Sequence, residues 1–139
     1  MIQFLLAQLG KIKAAISSVT SELATVTSDI TFETQTNYSL LTSGVENKII
    51  QTGNVVNISM VVKCDANYNT FPGILVINNI PKNATNGNVF FTIGTNWNSY
   101  DSESNFEPIR IAISNDGKLY IRGGEAGKYY DVNISYITK

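Results

Sequence analysis

Residues 1–30, MIQFLLAQLGKIKAAISSVTSELATVTSDI, place apolar side chains at Ile2, Leu5, Leu9, Ile12, Ile16, Val19, Leu23, Val26 and Ile30. The intervals alternate three and four, which is the heptad seam of a coiled coil rather than the broader stripe of a helix laid on a globular core. Ile2, Leu9, Ile16, Leu23 and Ile30 take the a positions; Leu5, Ile12, Val19 and Val26 take the d positions. Three of those four d residues are β-branched and the a residues mix Ile with Leu, a seam that leans away from a parallel dimer and toward a trimer or tetramer. One helix cannot bury so narrow a seam, so the segment predicts association with copies of the same chain. The alternative is an amphipathic helix folded back on its own domain. Fully helical, the stalk would be about 45 Å long. Phe4 and Leu6 lie off the seam and suggest a sticky end where something attaches.

Behind the stalk, roughly 105 residues remain, enough for one compact domain with its own core. The formal net charge is −1, with no local run of Lys and Arg, so nothing argues for nucleic acid or an anionic membrane. The chain contains no His, which removes the commonest general base and the commonest transition-metal ligand together. A single cysteine, Cys64, excludes an intramolecular disulfide and a cysteine-based zinc site. The apolar run at residues 4–6 is too short to span a bilayer and lacks a basic leader, so neither membrane insertion nor a signal peptide is expected.

After the stalk, β-branched and aromatic residues replace Leu, a shift from helix to sheet. A polar passage at residues 31–38 forms the neck, and residues 39–139 form the head domain. The clearest strand is VVNISMVVKC at 55–64, where Val56, Ile58, Met60, Val62 and Cys64 alternate with Asn57, Ser59 and Lys63. Cys64 falls in the inward set and is expected to be a small buried apolar residue. Shorter strands are expected at 39–44, 47–51, 74–77 and 89–95. Ile109, Ile111 and Ile113 alternate inward, Asn115-Asp116-Gly117 reverses the chain, and Leu119 and Ile121 alternate back as a hairpin. The last strand alternates Tyr130, Val132, Ile134 and Tyr136 against Asp131, Asn133 and Ser135. About seven short strands between turn signals predict a mainly β fold, an antiparallel β-sandwich of jelly-roll kind behind a trimeric coiled-coil helix.

Three stretches carry a family likeness: GNVVNISMVVK at 53–63, IRIAISNDGKLYIRG at 109–123 and YYDVNISYITK at 129–139. With the Ser/Thr-rich heptads ahead of them, they resemble the C-terminal part of bacteriophage and prophage tail-fibre or receptor-binding proteins. The resemblance implies a homotrimeric virion appendage, made in the bacterial cytoplasm, whose distal domain touches the host surface. It also implies attachment to virion structural proteins through the N-terminal end. The chain departs from long fibres in showing no virion-anchoring domain ahead of the coil. A capsid head fibre or decoration protein with a structural role is the alternative within the same frame.

No nucleophile and base can be paired in a chain without His, and no enzyme activity is expected. Asp101, Glu103 and Glu107 are the one acidic cluster, and their spacing lacks the turn glycine of an EF-hand loop, so neither a metal nor another cofactor is expected. Binding is better supported by residue type. Asn96, Trp97, Asn98, Tyr100 and Asp101 bring two rings and several amide or carboxylate groups into one loop. Rings stack on the C–H face of a sugar while amides and carboxylates take its hydroxyls, so the loop is the candidate site for a bacterial surface saccharide. The structural alternative is that Trp97 plugs the core and the Asn residues make turns. Tyr68 with Asn67 and Asn69 suggests a second, solvated loop. Arg110 and Arg122 fall on opposite arms of the hairpin, positioned to pair across it or to be held by Glu107 or Asp116.

Overall fold

The computed structural model describes residues 1–22, 24–33, 37–94 and 107–139, with residues 18–22 described by backbone alone. One helix, α1 (Ile2–Glu22), precedes β1 (Thr25–Asp29), β2 (Tyr38–Leu40), β3 (Lys48–Thr52), β4 (Val55–Cys64), β5 (Ile74–Ile77), β6 (Val89–Ile93), β7 (Ile109–Ile113), β8 (Leu119–Gly123) and β9 (Tyr129–Ile137). The fold is mainly β, and among the described residues every strand pairing is antiparallel.

Helix gives way to strand before the end of the heptad pattern, which corrects the expected stalk boundary at residue 30. Val26, expected at a d position, lies in β1 opposite Gln51, and the five residues of β1 pair in register with Thr52–Lys48. Ile30, expected at an a position, is 5% exposed and belongs to the head's core, its N–H donating to the Asn47 carbonyl at 3.3 Å. Two physical reasons explain the switch. The segment TVTSD is rich in β-branched residues that favour extended backbone, and β3 offers it a ladder of hydrogen bonds. A spacing of four is also even, so it keeps Val26 and Ile30 on one face of an extended chain as well as on one face of a helix. Leu23 and the Val19 side chain lie outside the described residues.

The helix itself does not fold back along residues 1–17, all of which are exposed. Ile2, Leu5, Leu9, Ile12 and Ile16 are each more than half exposed, as are Phe4 and Leu6. Its first turn carries no acidic residue and its last turn no basic one, so its ends lack the charges that would complement the helix dipole.

Ten-residue β4 is the spine of the first sheet. β9 pairs along one edge, from Val55↔Ile137 to Lys63↔Tyr129. On the other edge β3 pairs with Val55–Ser59 and β2 with Val62–Cys64, while β1 extends the sheet beyond β3. The second sheet runs β5-β8-β7-β6. Alternation puts Val56, Ile58, Met60, Val62 and Cys64 of β4 with Tyr130, Val132, Ile134 and Tyr136 of β9 on the buried face. These join Val76, Ile109, Ile111, Ile113, Leu119 and Ile121 of the second sheet in one hydrophobic cluster. Burying each such aliphatic side chain contributes about 1.5–3 kcal/mol, which favours the two sheets sharing that core. The expected neck is not wholly polar in role: Phe32 packs on the cluster, and the Glu33 N–H donates to the Val76 carbonyl at 2.7 Å.

Asn83 is buried without exposure and is bonded on every side. Its Nδ2 donates to the Gly87 carbonyl at 3.1 Å and the Ile113 carbonyl at 2.8 Å, while Oδ1 accepts from the Thr85 N–H at 2.8 Å and hydroxyl at 2.6 Å. It ties the connection between β5 and β6 to the end of β7.

Candidate ligand-binding cleft

Three tyrosines on the inner face of the first sheet fasten the loops at the edges of the core. Tyr38 donates to the Gly123 carbonyl at 2.8 Å, and Tyr136 donates to the Pro81 carbonyl at 2.7 Å. Tyr130 donates to the Glu107 carbonyl at 2.8 Å and accepts from the Glu125 N–H at 2.8 Å. Burial pushes all three phenols above their ordinary value, and it pushes the Cys64 thiol up as well. Cys64 is thus a buried, protonated packing residue whose Sγ lies 3.8 Å from the Gly123 carbonyl oxygen.

Gly123 and Gly124 close the end of the hairpin against the start of β7. Both have positive φ (78° and 88°), and a Cβ on Gly123 would lie 2.7 Å from the Pro108 carbonyl oxygen. The Gly123 N–H donates to the Tyr68 carbonyl, and the Gly124 N–H donates to the Pro108 carbonyl at 3.2 Å. The loop at residues 67–69, expected as a solvated tip, is therefore fastened to this end of the sheet: Tyr68 is half-buried, and Asn67 Oδ1 accepts from the Ala126 N–H at 3.0 Å.

The result is a cleft of about 290 Å³ lined by Asn69, Glu107, Pro108, Arg110 and Arg122. Arg110 and Arg122 are direct register partners across β7 and β8, as their places in the hairpin predict. Neither is held by Asp116, which sits at the opposite end of the hairpin and pairs with Lys118 at 2.7 Å while accepting from the Ser114 hydroxyl. Among the described residues, neither arginine forms an ion pair.

Beside the arginines, the outward face of the second sheet carries two rings. Phe71 and Phe90 are 57% and 56% exposed, with centroids 6.1 Å apart and planes tilted by 37°. The Arg122 guanidinium carbon lies 5.2 Å from the Phe71 centroid, a cation–π contact. Phe90, Ala112 and Tyr120 stand in one register row, next to the row of Thr92, Arg110 and Arg122. Sequence reasoning missed both phenylalanines. A signal existed in Phe90-Phe91, because adjacent strand residues face opposite ways and one ring must point outward.

The predicted saccharide residues Asn96, Trp97, Asn98, Tyr100 and Asp101 lie outside the described residues, as does Glu103. What the structure gives is their flanks. Residues 95–106 join β6 to β7, whose adjoining ends pair as Ile93↔Ile109 with Gly123 on the far side, and Glu107, the next residue, lines the cleft. Among the described residues, no group of three or more Cys, Asp or Glu side chains is arranged to hold a metal ion.

A second depression of about 240 Å³ sits by β1, lined in part by Asp29, Ile30, Leu40, Glu46 and Lys48. Lys48 pairs with Asp29 there, and Asn47 fastens its wall by donating to the Leu41 carbonyl at 2.7 Å and accepting from the Val61 N–H at 3.0 Å. Its lysine is paired with an aspartate, unlike the two arginines of the first cleft. No helix among the described residues is long and apolar enough to cross a membrane. No family model, curated protein or solved structure matches the chain.

Proposed function

We propose that this protein is a homotrimeric virion appendage of the tail-fibre or receptor-binding kind, whose β-sandwich head, of jelly-roll kind, binds a bacterial surface glycan without a cofactor and without catalysis. The observation that carries the reading is the helix: Ile2, Leu5, Leu9 and Ile12 keep a heptad seam in water, 55–74% exposed. Helices in proteins draw most of their stability from packing an apolar face rather than from intrinsic propensity, and a seam of this composition finds its burial against copies of itself. With a rise of about 1.5 Å per residue, the 21-residue helix makes a stalk of about 32 Å. Three weak saccharide sites on one stalk then act together through avidity, which asks little of each site. The N-terminal end, with Phe4 and Leu6, is the part assigned to attachment on the particle.

The test is the solution mass of the full chain beside one beginning at residue 23. A full chain near three times 15.2 kDa and a truncated chain near one supports the reading. A monomeric full chain removes it. The cut belongs after Glu22 because removal of residues 1–30 would take away β1 and the core residue Ile30.

A further inference from the structure

We propose that the outward face of the β5-β8-β7-β6 sheet is a subsite for an acidic saccharide: Arg110 and Arg122 take a carboxylate or phosphate on the sugar, and Phe71 and Phe90 pack on its C–H face. The inference rests on the glycan-binding reading and adds the charge class of the glycan.

Arg110 and Arg122 are opposite one another on adjacent strands, an arrangement that costs stability when both members carry the same charge. Among the described residues, no carboxylate pairs with either, although Glu107 lines the same cleft. An oxyanion between the two guanidinium groups replaces that repulsion with charge-assisted hydrogen bonds, for which the planar guanidinium fork is suited. Phe71 seats the Arg122 guanidinium over its ring and, with Phe90, offers more than half-exposed aromatic surface beside the charge. A free inorganic anion would use the arginines and leave the rings idle, whereas a sugar bearing the anion uses both. At about 290 Å³ the cleft stands at the lower end of small-ligand sites, a size for one terminal residue rather than a long segment. Glu107 and Asn69 supply acceptors and donors for the hydroxyls around it. The positive character is local, since the chain as a whole carries −1.

The experiment is calorimetric titration of the full-length chain with three probes: tri-galacturonic acid, a mannose-6-phosphate trisaccharide and neutral maltotriose. The expected result is that at least one acidic probe binds ~10-fold or more tightly than maltotriose, and that this preference shrinks as NaCl rises from about 50 to about 300 mM. Arg110→Gln and Arg122→Gln should each lose about 10-fold for the acidic probe while the oligomer mass is unchanged, and Arg122→Lys should recover only part of the loss. Preference for galacturonate or for the phosphosugar then identifies which oxyanion the subsite reads. Where an arginine variant does not keep the native mass, the Nε–H resonances of Arg110 and Arg122 in the ¹⁵N-labelled wild type decide. They shift with the acidic probe and not with maltotriose if the subsite exists. Equal binding of maltotriose and the acidic probes, with arginine variants like wild type, overturns the subsite and leaves glycan binding standing. Binding of no probe overturns both.

Discussion

Tyr130 reaches from the inner face of β9 to donate its hydroxyl proton to the Glu107 carbonyl, 2.8 Å away, and the same oxygen accepts the Glu125 N–H. One buried side chain thereby holds the start of the β7 segment and the connection between β8 and β9 together at the cleft. Tyr130→Phe removes both bonds while keeping the ring. Because Glu107 and Glu125 are exposed and their backbone groups can turn to water, the cost should be near the lower end for a lost hydrogen-bonding hydroxyl, about 1 kcal/mol. Urea unfolding of the variant should show a lower midpoint with an unchanged slope.

Asn83 presents the opposite case, since its four bonds are made in a fully buried site. Asn83→Ala should cost about 3 kcal/mol or more, because the Ile113 carbonyl and the Thr85 groups lose their partner where water does not readily replace it. Chemical denaturation checks this, with Asn57→Ala as a contrast: Asn57 is exposed and accepts one bond from the Ser135 hydroxyl, so its loss should fall within about 0.5 kcal/mol. Asn83-Ala84-Thr85 has the pattern of an N-glycosylation acceptor, and the same burial makes it unusable in the folded chain.

Gly117 closes the β7–β8 hairpin at φ +86°, and a Cβ there would lie 2.5 Å from the Ile80 carbonyl oxygen. Gly127 has φ +84°, and a Cβ there would meet nothing within 4 Å. Gly127→Ala should cost only the left-handed conformation, about 1–2 kcal/mol. Gly117→Ala adds a clash with backbone and should cost at least about 1 kcal/mol more. A thermal unfolding series on both variants separates the two contributions.

Stability should fall in alkali. Burial raises the phenols of Tyr38 and Tyr136 well above their ordinary value of 10. Below pH 10 these two phenols keep their protons in both states and leave stability unaffected. Above it the unfolded chain releases protons that the native chain retains, so stability declines as pH rises toward the native values. The urea midpoint should therefore begin a shallow fall at about pH 8.5, where the unfolded chain ionises the Cys64 thiol that burial holds protonated in the native state, and drop more steeply beyond pH 10. Tyr136→Phe should flatten that drop; an unaltered drop in this variant would assign it to other groups.

A charge in the exposed seam should act on assembly alone. In the proposed trimer Leu9→Asp places a carboxylate at an a position that the head does not contact, so the solution mass should fall to that of one chain, 15.2 kDa, with the sheet circular dichroism retained. Loss of the sheet signal together with the mass would show that the head depends on the stalk for its folding.

The period-2 strands were legible in the sequence because each has one buried face. β4 matches residues 55–64 with its inward set intact, and every residue expected inward in the β7–β8 hairpin and in β9 is buried. The start of the helix was legible too, from the spacing Ile2, Leu5, Leu9, Ile12. Its end was not: Leu23, Val26 and Ile30 continue a heptad, and only pairing with β3 decides that residues 25–29 are strand. Local pattern records which side of an element is apolar, while the partner that supplies the backbone hydrogen bonds lies elsewhere in the chain, 19 residues away for Asp29↔Lys48 and 27 for Thr25↔Thr52. The cleft follows the same division. The facing of Arg110 and Arg122 is set by hairpin register and could be read from the turn, but Phe71, Phe90, Glu107 and Asn69 come from separate segments that only packing of the sheet brings to one place.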